Sequence, residues 1–369
     1  STNINVNKAS RTYLYMAFAK NATNNNTLAN SFKAVTYTGN GSTQEITGIG
    51  FKPDLVWIKQ RNDTNPHSFF DTTRGAGKML VTSTDAVEIN NPGDILGYFL
   101  DDGFQVNRNH GVHSAYDNSN HSGSTYVAWC WKAGNGWQSN HDGAVSSLTN
   151  ANTANGFSII KYTGTGSNAT VGHGLSSAPT LIIAKRLNSA QNWLVGASGI
   201  GFTKYLELND TRAEDTASTV WNNTAPTSTV VNFGTSSLGN GSGDDYIMYC
   251  FHDVAGYSKF GTYTGNGSSS GPYVALGFEP DFVMLKRTDA TSNWVIADKA
   301  RGGSYNDSKK VIFANLSNAE SESGDIGKSI EFNAVGHGSN PTGGFQLGNS
   351  DNPFNVSSGE YIYIAFKMN

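Results

Sequence analysis

Tyr263-Thr-Gly-Asn-Gly267, then Gly277-Phe-Glu-Pro-Asp-Phe-Val-Met-Leu-Lys-Arg287, then Gly359-Glu-Tyr-Ile-Tyr-Ile-Ala-Phe366 form a pattern that decides the fold, because the chain carries it three times. The head recurs at Tyr37 to Gly41 and Tyr162 to Gly166. The apolar run recurs as Pro53-Asp-Leu-Val-Trp-Ile-Lys59 and Pro179-Thr-Leu-Ile-Ile-Ala-Lys185. The tail recurs as Ser124-Thr-Tyr-Val-Ala-Trp-Cys-Trp131 and Asp244-Asp-Tyr-Ile-Met-Tyr-Cys-Phe251. Copies two and three keep register from the Tyr to Trp193 and Trp294 at an offset of 101 residues. Copies one and three are offset by 226 at the Tyr and 227 at the Lys, a single insertion. Such register predicts three structurally equivalent modules. A fourth tail, Arg11-Thr-Tyr-Leu-Tyr-Met-Ala-Phe18, has no head. Residues 8 to 20 are therefore expected to be the last strand of a missing module, or one inserted into a sandwich of this chain or of a neighbour, since an unpaired edge carrying Tyr13, Tyr15 and Phe18 invites aggregation.

Leu55-Val-Trp-Ile and Leu181-Ile-Ile-Ala show no polar alternation and are too short for a core helix, so they read as strands covered on both faces. The tails mix aromatic and aliphatic residues at a period of two, which suits strands with one face in a core and the other against a second layer. Glycine supplies positive φ at no steric cost, so Thr-Gly-Asn-Gly reads as a tight turn. A phosphate cradle is disfavoured because no helix and no Lys-Ser/Thr follow. Many short strands with frequent turn signals predict an all-β chain of three tandem antiparallel β-sandwiches, jelly-rolls of the concanavalin or laminin-G kind. The expected divisions are a terminal strand and linker over 1–30, sandwiches over 31–134, 156–256 and 257–369, and a linker over 135–155, the modules forming an extended array.

At 369 residues each module has the length of an ordinary domain and can bury its own core. Net charge is −4 and the basic residues form no stripe, which argues against nucleic-acid binding. No apolar stretch has the length of a membrane span. The two cysteines, Cys130 and Cys250, occupy the same tail position of two modules, so each is expected to be a free core residue and not half of a disulfide.

Several groups invite a chemical reading. Asp71-Thr-Thr-Arg74-Gly75 and Asp298-Lys-Ala-Arg301-Gly302 lie at matched positions where the second module has Ala197 and Ile200, so a structural clasp is favoured over a ligand grip. His110, His113, His121 and His141 gather in or just after the first module without the paired spacing of a metal site. Asp101, Asp102 and Asn107 offer hard oxygen ligands but no EF-hand spacing. Glu207, Asp210, Glu214 and Asp215 could supply a carboxylate pair for glycoside hydrolysis, yet they belong to one module only. Trp193 and Trp294, with His67 at the matching place, read as core closure before sugar-stacking rim residues. No catalytic, cofactor or metal residue is assigned, no cofactor is expected, and ligand-binding residues are left open.

The combination of Tyr-Thr-Gly-Asn-Gly, the Gly277 to Arg287 segment (degraded at Gly50 to Arg61) and Tyr-Ile-Tyr-Ile-Ala-Phe resembles the repeated module of structural proteins in tailed phages of marine bacteria and cyanobacteria. The resemblance covers about residues 8 to 369 and departs most in the second module, where Ala178-Pro-Thr replaces the Pro-Asp pair. It implies a non-enzymatic virion surface protein, commonly a tail fibre or other host-contacting appendage. Alternatives are a capsid or tail decoration protein without a receptor and a glycan-binding, lectin-like module. The expected partners are other copies of itself, as a homo-oligomer with a trimer favoured through the aromatic face of the tails, other virion proteins and a host-surface glycan or protein. Nucleic acid and membrane insertion are not expected.

Overall fold

The computed structural model describes residues 31–90, 95–107, 119–302, 307–308, 310–322, 330–333 and 342–368. The fold is all-β, its single short helix among these residues being Ser218–Trp221. No helix among them is long and apolar enough to cross a membrane. The expected strand at residues 8 to 20, and His110 and His113, lie outside the described residues.

One four-strand arrangement appears three times. An opening strand (Phe32–Thr38, Phe157–Thr163, Ser258–Thr264) pairs antiparallel with a terminal strand (Thr125–Trp131, Asp245–Phe251, Glu360–Phe366). The terminal strand pairs on its other side with a central strand (Leu55–Gln60, Leu181–Arg186, Phe282–Arg287). A fourth strand (Ser68–Asp71, Leu194–Ala197, Val295–Asp298) follows beside the central one. Register is the same each time: Leu55 faces Trp131, Leu181 faces Phe251 and Phe282 faces Phe366. A smaller sheet covers the outer side of each unit, for example Gln44–Thr47, Gly103–Val106 and Leu96–Leu100 in the first.

The period-two alternation of a strand assigns these residues to different cores. Val56, Ile58, Tyr126, Ala128 and Cys130 enter the core of the first sandwich. Their counterparts Ile182, Ala184, Tyr246, Met248 and Cys250, and Val283, Leu285, Tyr361, Tyr363 and Ala365, enter the cores of the second and third. The alternate residues of all three repeated sheets meet in one further core shared by the whole chain, including Trp57, Trp129 and Trp131, Ile183, Tyr249 and Phe251, and Met284, Ile364 and Phe366. The central and terminal strands are buried on both faces, which is why they lack polar alternation. At the centre a wholly apolar void of about 30 Å³ is lined by four residues from each unit, Leu55, Leu181 and Phe282 among them.

The units close into a ring, and the extended array expected from the sequence is not formed. Three matching backbone hydrogen bonds mark the seams: Glu88 N to Leu187 O (3.1 Å), Glu214 N to Thr288 O (2.8 Å) and Glu320 N to Arg61 O (2.7 Å). The physical reason is the second apolar face of the sheets, which an array would leave in water and the ring buries. That face is also the one from which a homotrimer was expected. Its threefold contact is made within one chain.

Residues 135–155 are not a free linker. They contain the strands Gln138–Asn140 and Ser147–Asn152, and the latter pairs with the opening strand Phe157–Thr163 to widen the second sheet. An open edge is a liability, and this hairpin covers it.

Candidate functional site

The head motif is a clamp. Tyr37, Tyr162 and Tyr263 donate their hydroxyls to Ser119 O, Gly239 O and Phe354 O, and each stacks on the tyrosine opposite, Tyr126, Tyr246 or Tyr361. A buried asparagine holds each turn: Asn120 Oδ1 accepts from Asn40 N, Asn240 Oδ1 from Thr165 N and Asn355 Oδ1 from Asn266 N. The second glycines have φ of +67°, +70° and +66°, and a Cβ at Gly39, Gly164 or Gly265 would stand 2.2 to 2.4 Å from a backbone oxygen. The motif turns the chain as expected, and its amides are occupied by the protein itself. The asparagines were missed in the sequence, although each precedes its terminal-strand tyrosine by six residues.

Trp193 and Trp294 are fully buried at the seams. Trp193 Nε1 donates to Val81 O and Trp294 Nε1 to Glu207 O, both at 2.9 Å, and His67 Nε2 meets Phe313 O at 3.0 Å at the third seam. A carbonyl only accepts, so His67 carries its proton on Nε2, and Nδ1 accepts from Trp57 Nε1 at 2.8 Å. Burial pushes the His67 imidazolium down to about 3, so the ring is neutral.

The Asp/Arg clasps also serve the seams. Asp71 holds Arg74 Nε at 2.5 Å and accepts from Tyr249 Oη of the second unit at 2.7 Å. Asp298 holds Arg301 Nε at 2.6 Å and accepts from Trp129 Nε1 of the first unit at 2.9 Å. In the second unit Ala197 replaces the acid, and Ile364, the counterpart of Tyr249 and Trp129, has no donor to offer. The loss is matched across the seam, so the structural reading of the clasp accounts for all three copies.

Lys59, Lys185 and Lys286, which end the central strands, are fully buried. Lys185 Nζ donates to Asp85 O and Gln191 O, and Lys286 Nζ to Thr211 O and Ser292 O, so each bridges its own loop and the preceding unit. Lys59 Nζ donates to Gln60 O and Asp63 O. Burial lowers all three ammonium groups to about 8. Sequence reading saw them only as strand-end charges.

The remaining candidates are dispersed. Glu207 and Asp210 pair with Arg212, Glu214 with Lys204, and Tyr205 donates to Asp215. Asp102 accepts from Gly48 N and Gly50 N, His121 N donates to Tyr126 Oη, and exposed His141 meets Ser146. Among the described residues no three His, Cys, Asp or Glu side chains converge as metal ligands. Cys130 and Cys250 are free and buried, and burial pushes both thiols up.

What is left for contact with other molecules lies outside the ring. The hairpin of residues 135–152 forms, with Gly174, a cleft of about 310 Å³ whose walls include Asn135, Gln138, Ser139, Asn140 and Thr149. Trp137, between two wall residues in the chain, is 40% exposed, while every other tryptophan is buried. The sequence signal for it, Asn-Gly-Trp-Gln-Ser-Asn over 135–140, went unread because the segment matched no repeat.

A family model described as a domain of unknown function, DUF7483, matches residues 28–369. The chain belongs to that family. No curated protein and no solved structure matches the chain significantly. The DUF7483 match runs through all three repeats, so the unit it defines is the ring and not the single sandwich.

Proposed function

We propose that the protein is a non-enzymatic structural component of a bacteriophage particle, a tail fibre or similar appendage whose outer loops meet the host surface. The observation that carries this reading is the closed ring of three sandwiches on one shared core. Its repeated polar residues, the Asn and Tyr clamps, the Asp/Arg clasps and the buried lysines, are engaged in holding strands and seams together. A rigid frame with its chemistry turned inward suits a part that sets position, leaving specificity to loops and added hairpins. The resemblance of the Tyr-Thr-Gly-Asn-Gly, Gly277 to Arg287 and terminal-strand segments to phage structural modules supports the same reading.

The test is the location of the chain in an intact particle, by cryo-electron microscopy with an antibody fragment bound to the ring. Density at a distal fibre or tail tip supports the proposal. Density tiling a capsid or tube replaces it with decoration, and absence from particles overturns it.

A further inference from the structure

The hairpin cleft is the part of the molecule that the ring does not explain. In the third unit, residues 252–257 join the preceding terminal strand to the opening strand in a short turn, whereas residues 132–156 of the second unit build two strands for the same connection. The extra structure is firmly seated. Val145 bridges Val171, Ala144 N donates to Thr170 Oγ1, and Ser147 Oγ donates to Gly172 O. Buried Asn150 joins the wall to the first unit, its Nδ2 on Asp54 Oδ1 at 3.1 Å and its Oδ1 accepting from Gly136 N at 3.3 Å. Such a cleft is preorganised, and a ligand entering it pays little ordering cost.

The walls carry amides and hydroxyls and no charged side chain. The Gln138 amide and Ser139 hydroxyl make no side-chain hydrogen bond within the described residues, so both are available to a ligand. Gly174, at φ +71°, keeps the floor open: a Cβ there would lie 3.1 Å from Ala151 Cβ and 3.2 Å from Thr149 Oγ1. The volume of about 310 Å³ falls at the lower end of the ~300–1,000 Å³ typical of small-ligand sites, room for a mono- or disaccharide. Uncharged donors and acceptors match the hydroxyl edge of a pyranose.

We propose that this cleft binds a neutral saccharide, with the Gln138 amide and the Ser139 hydroxyl hydrogen-bonding its hydroxyls, while the Asn140 side chain shapes the wall, held by Asp142 through both its Nδ2 and its Oδ1. The site rests on the reading of the protein as a surface-contacting part and gives that contact a place and a ligand class.

The full chain is titrated with lactose, maltose, N-acetyllactosamine, chitobiose and sialyllactose, followed by saturation-transfer NMR and by Trp fluorescence. Binding of at least one neutral sugar at millimolar or better affinity is expected, with weaker response to anionic sialyllactose. Gln138→Ala and Ser139→Ala, both at exposed positions, should each weaken it at least tenfold without changing the melting temperature. Sugar binding untouched by both substitutions, preference for the anionic sugar, or no binding at all overturns the assignment of the cleft. Particle location decides the appendage reading separately, so a chain found at a tail tip that binds none of these sugars would sink only the cleft.

Discussion

At the scale of single residues the buried ionisable groups govern stability. Lys59, Lys185 and Lys286 have folded-state values lowered to about 8 by burial, below the 10.5 of a free lysine. Between those values the unfolded chain binds more protons than the folded one, so stability rises with pH from about 8 towards 10. Above 10 the sign reverses: burial raises Tyr37, Tyr162, Tyr249 and Tyr263, and ionisation of the unfolded tyrosines favours unfolding. His67 acts on the acid side, since its value near 3 means that stability falls as pH drops from 6.5. Urea titrations from pH 4 to 11 should therefore show a maximum near pH 9 to 10, and a decline from pH 8 to 10 would contradict the buried lysines. Asp71→Ala removes the closest carboxylate from the buried Arg74 guanidinium, leaving it the longer pair to Glu88 at 3.3 Å, and should cost about 3–5 kcal/mol by urea denaturation. Tyr249→Phe removes only one bond to that carboxylate and should cost about 1.5–3 kcal/mol. The clasp was legible from the spacing Asp-x-x-Arg, but its partners Tyr249 and Trp129 were not, because they lie 178 and 169 residues away.

At the scale of elements, the turn and strand patterns were read correctly where the signal is local. Gly41, Gly166 and Gly267 adopt the positive φ that the Thr-Gly-Asn-Gly motif implies, and the Pro-led runs are central strands. The hairpin at residues 138–152 was read as a linker because its polar strand Gln138–Asn140 lacks the apolar alternation that marks a half-buried strand. The clamp asparagines supply a test of the turns. Asn240→Ala leaves Ser167 O and Gly234 O without their donor and Thr165 N without its acceptor, so a loss of about 2–4 kcal/mol is expected. Denaturation of this variant should report that loss together with faster amide exchange at Thr165 and Gly166. An unchanged midpoint would show that the clamp is replaceable by water.

For the whole molecule the shared core makes the three sandwiches one cooperative body. Trp129→Ala opens a cavity in that core and should cost about 3–5 kcal/mol, lowering a single melting transition seen equally by fluorescence and circular dichroism. A second transition left at the wild-type temperature would mean that the units unfold independently. With the apolar faces covered inside one chain, light scattering in dilute solution should give the monomer mass of 39.4 kDa. A mass three times larger would restore the homotrimer expected from the aromatic terminal strands. The all-β class, the threefold repetition of segments and the turns were legible in the sequence, since these depend on residues near one another along the chain or at fixed offsets between copies. Closure of the repeats into a ring, the seam positions of Trp193, Trp294 and His67 and the burial of the lysines emerged with the folded structure. A strand pattern records that both faces are covered, but the identity of the covering surface is set by packing between segments a hundred residues apart, which leaves no local trace.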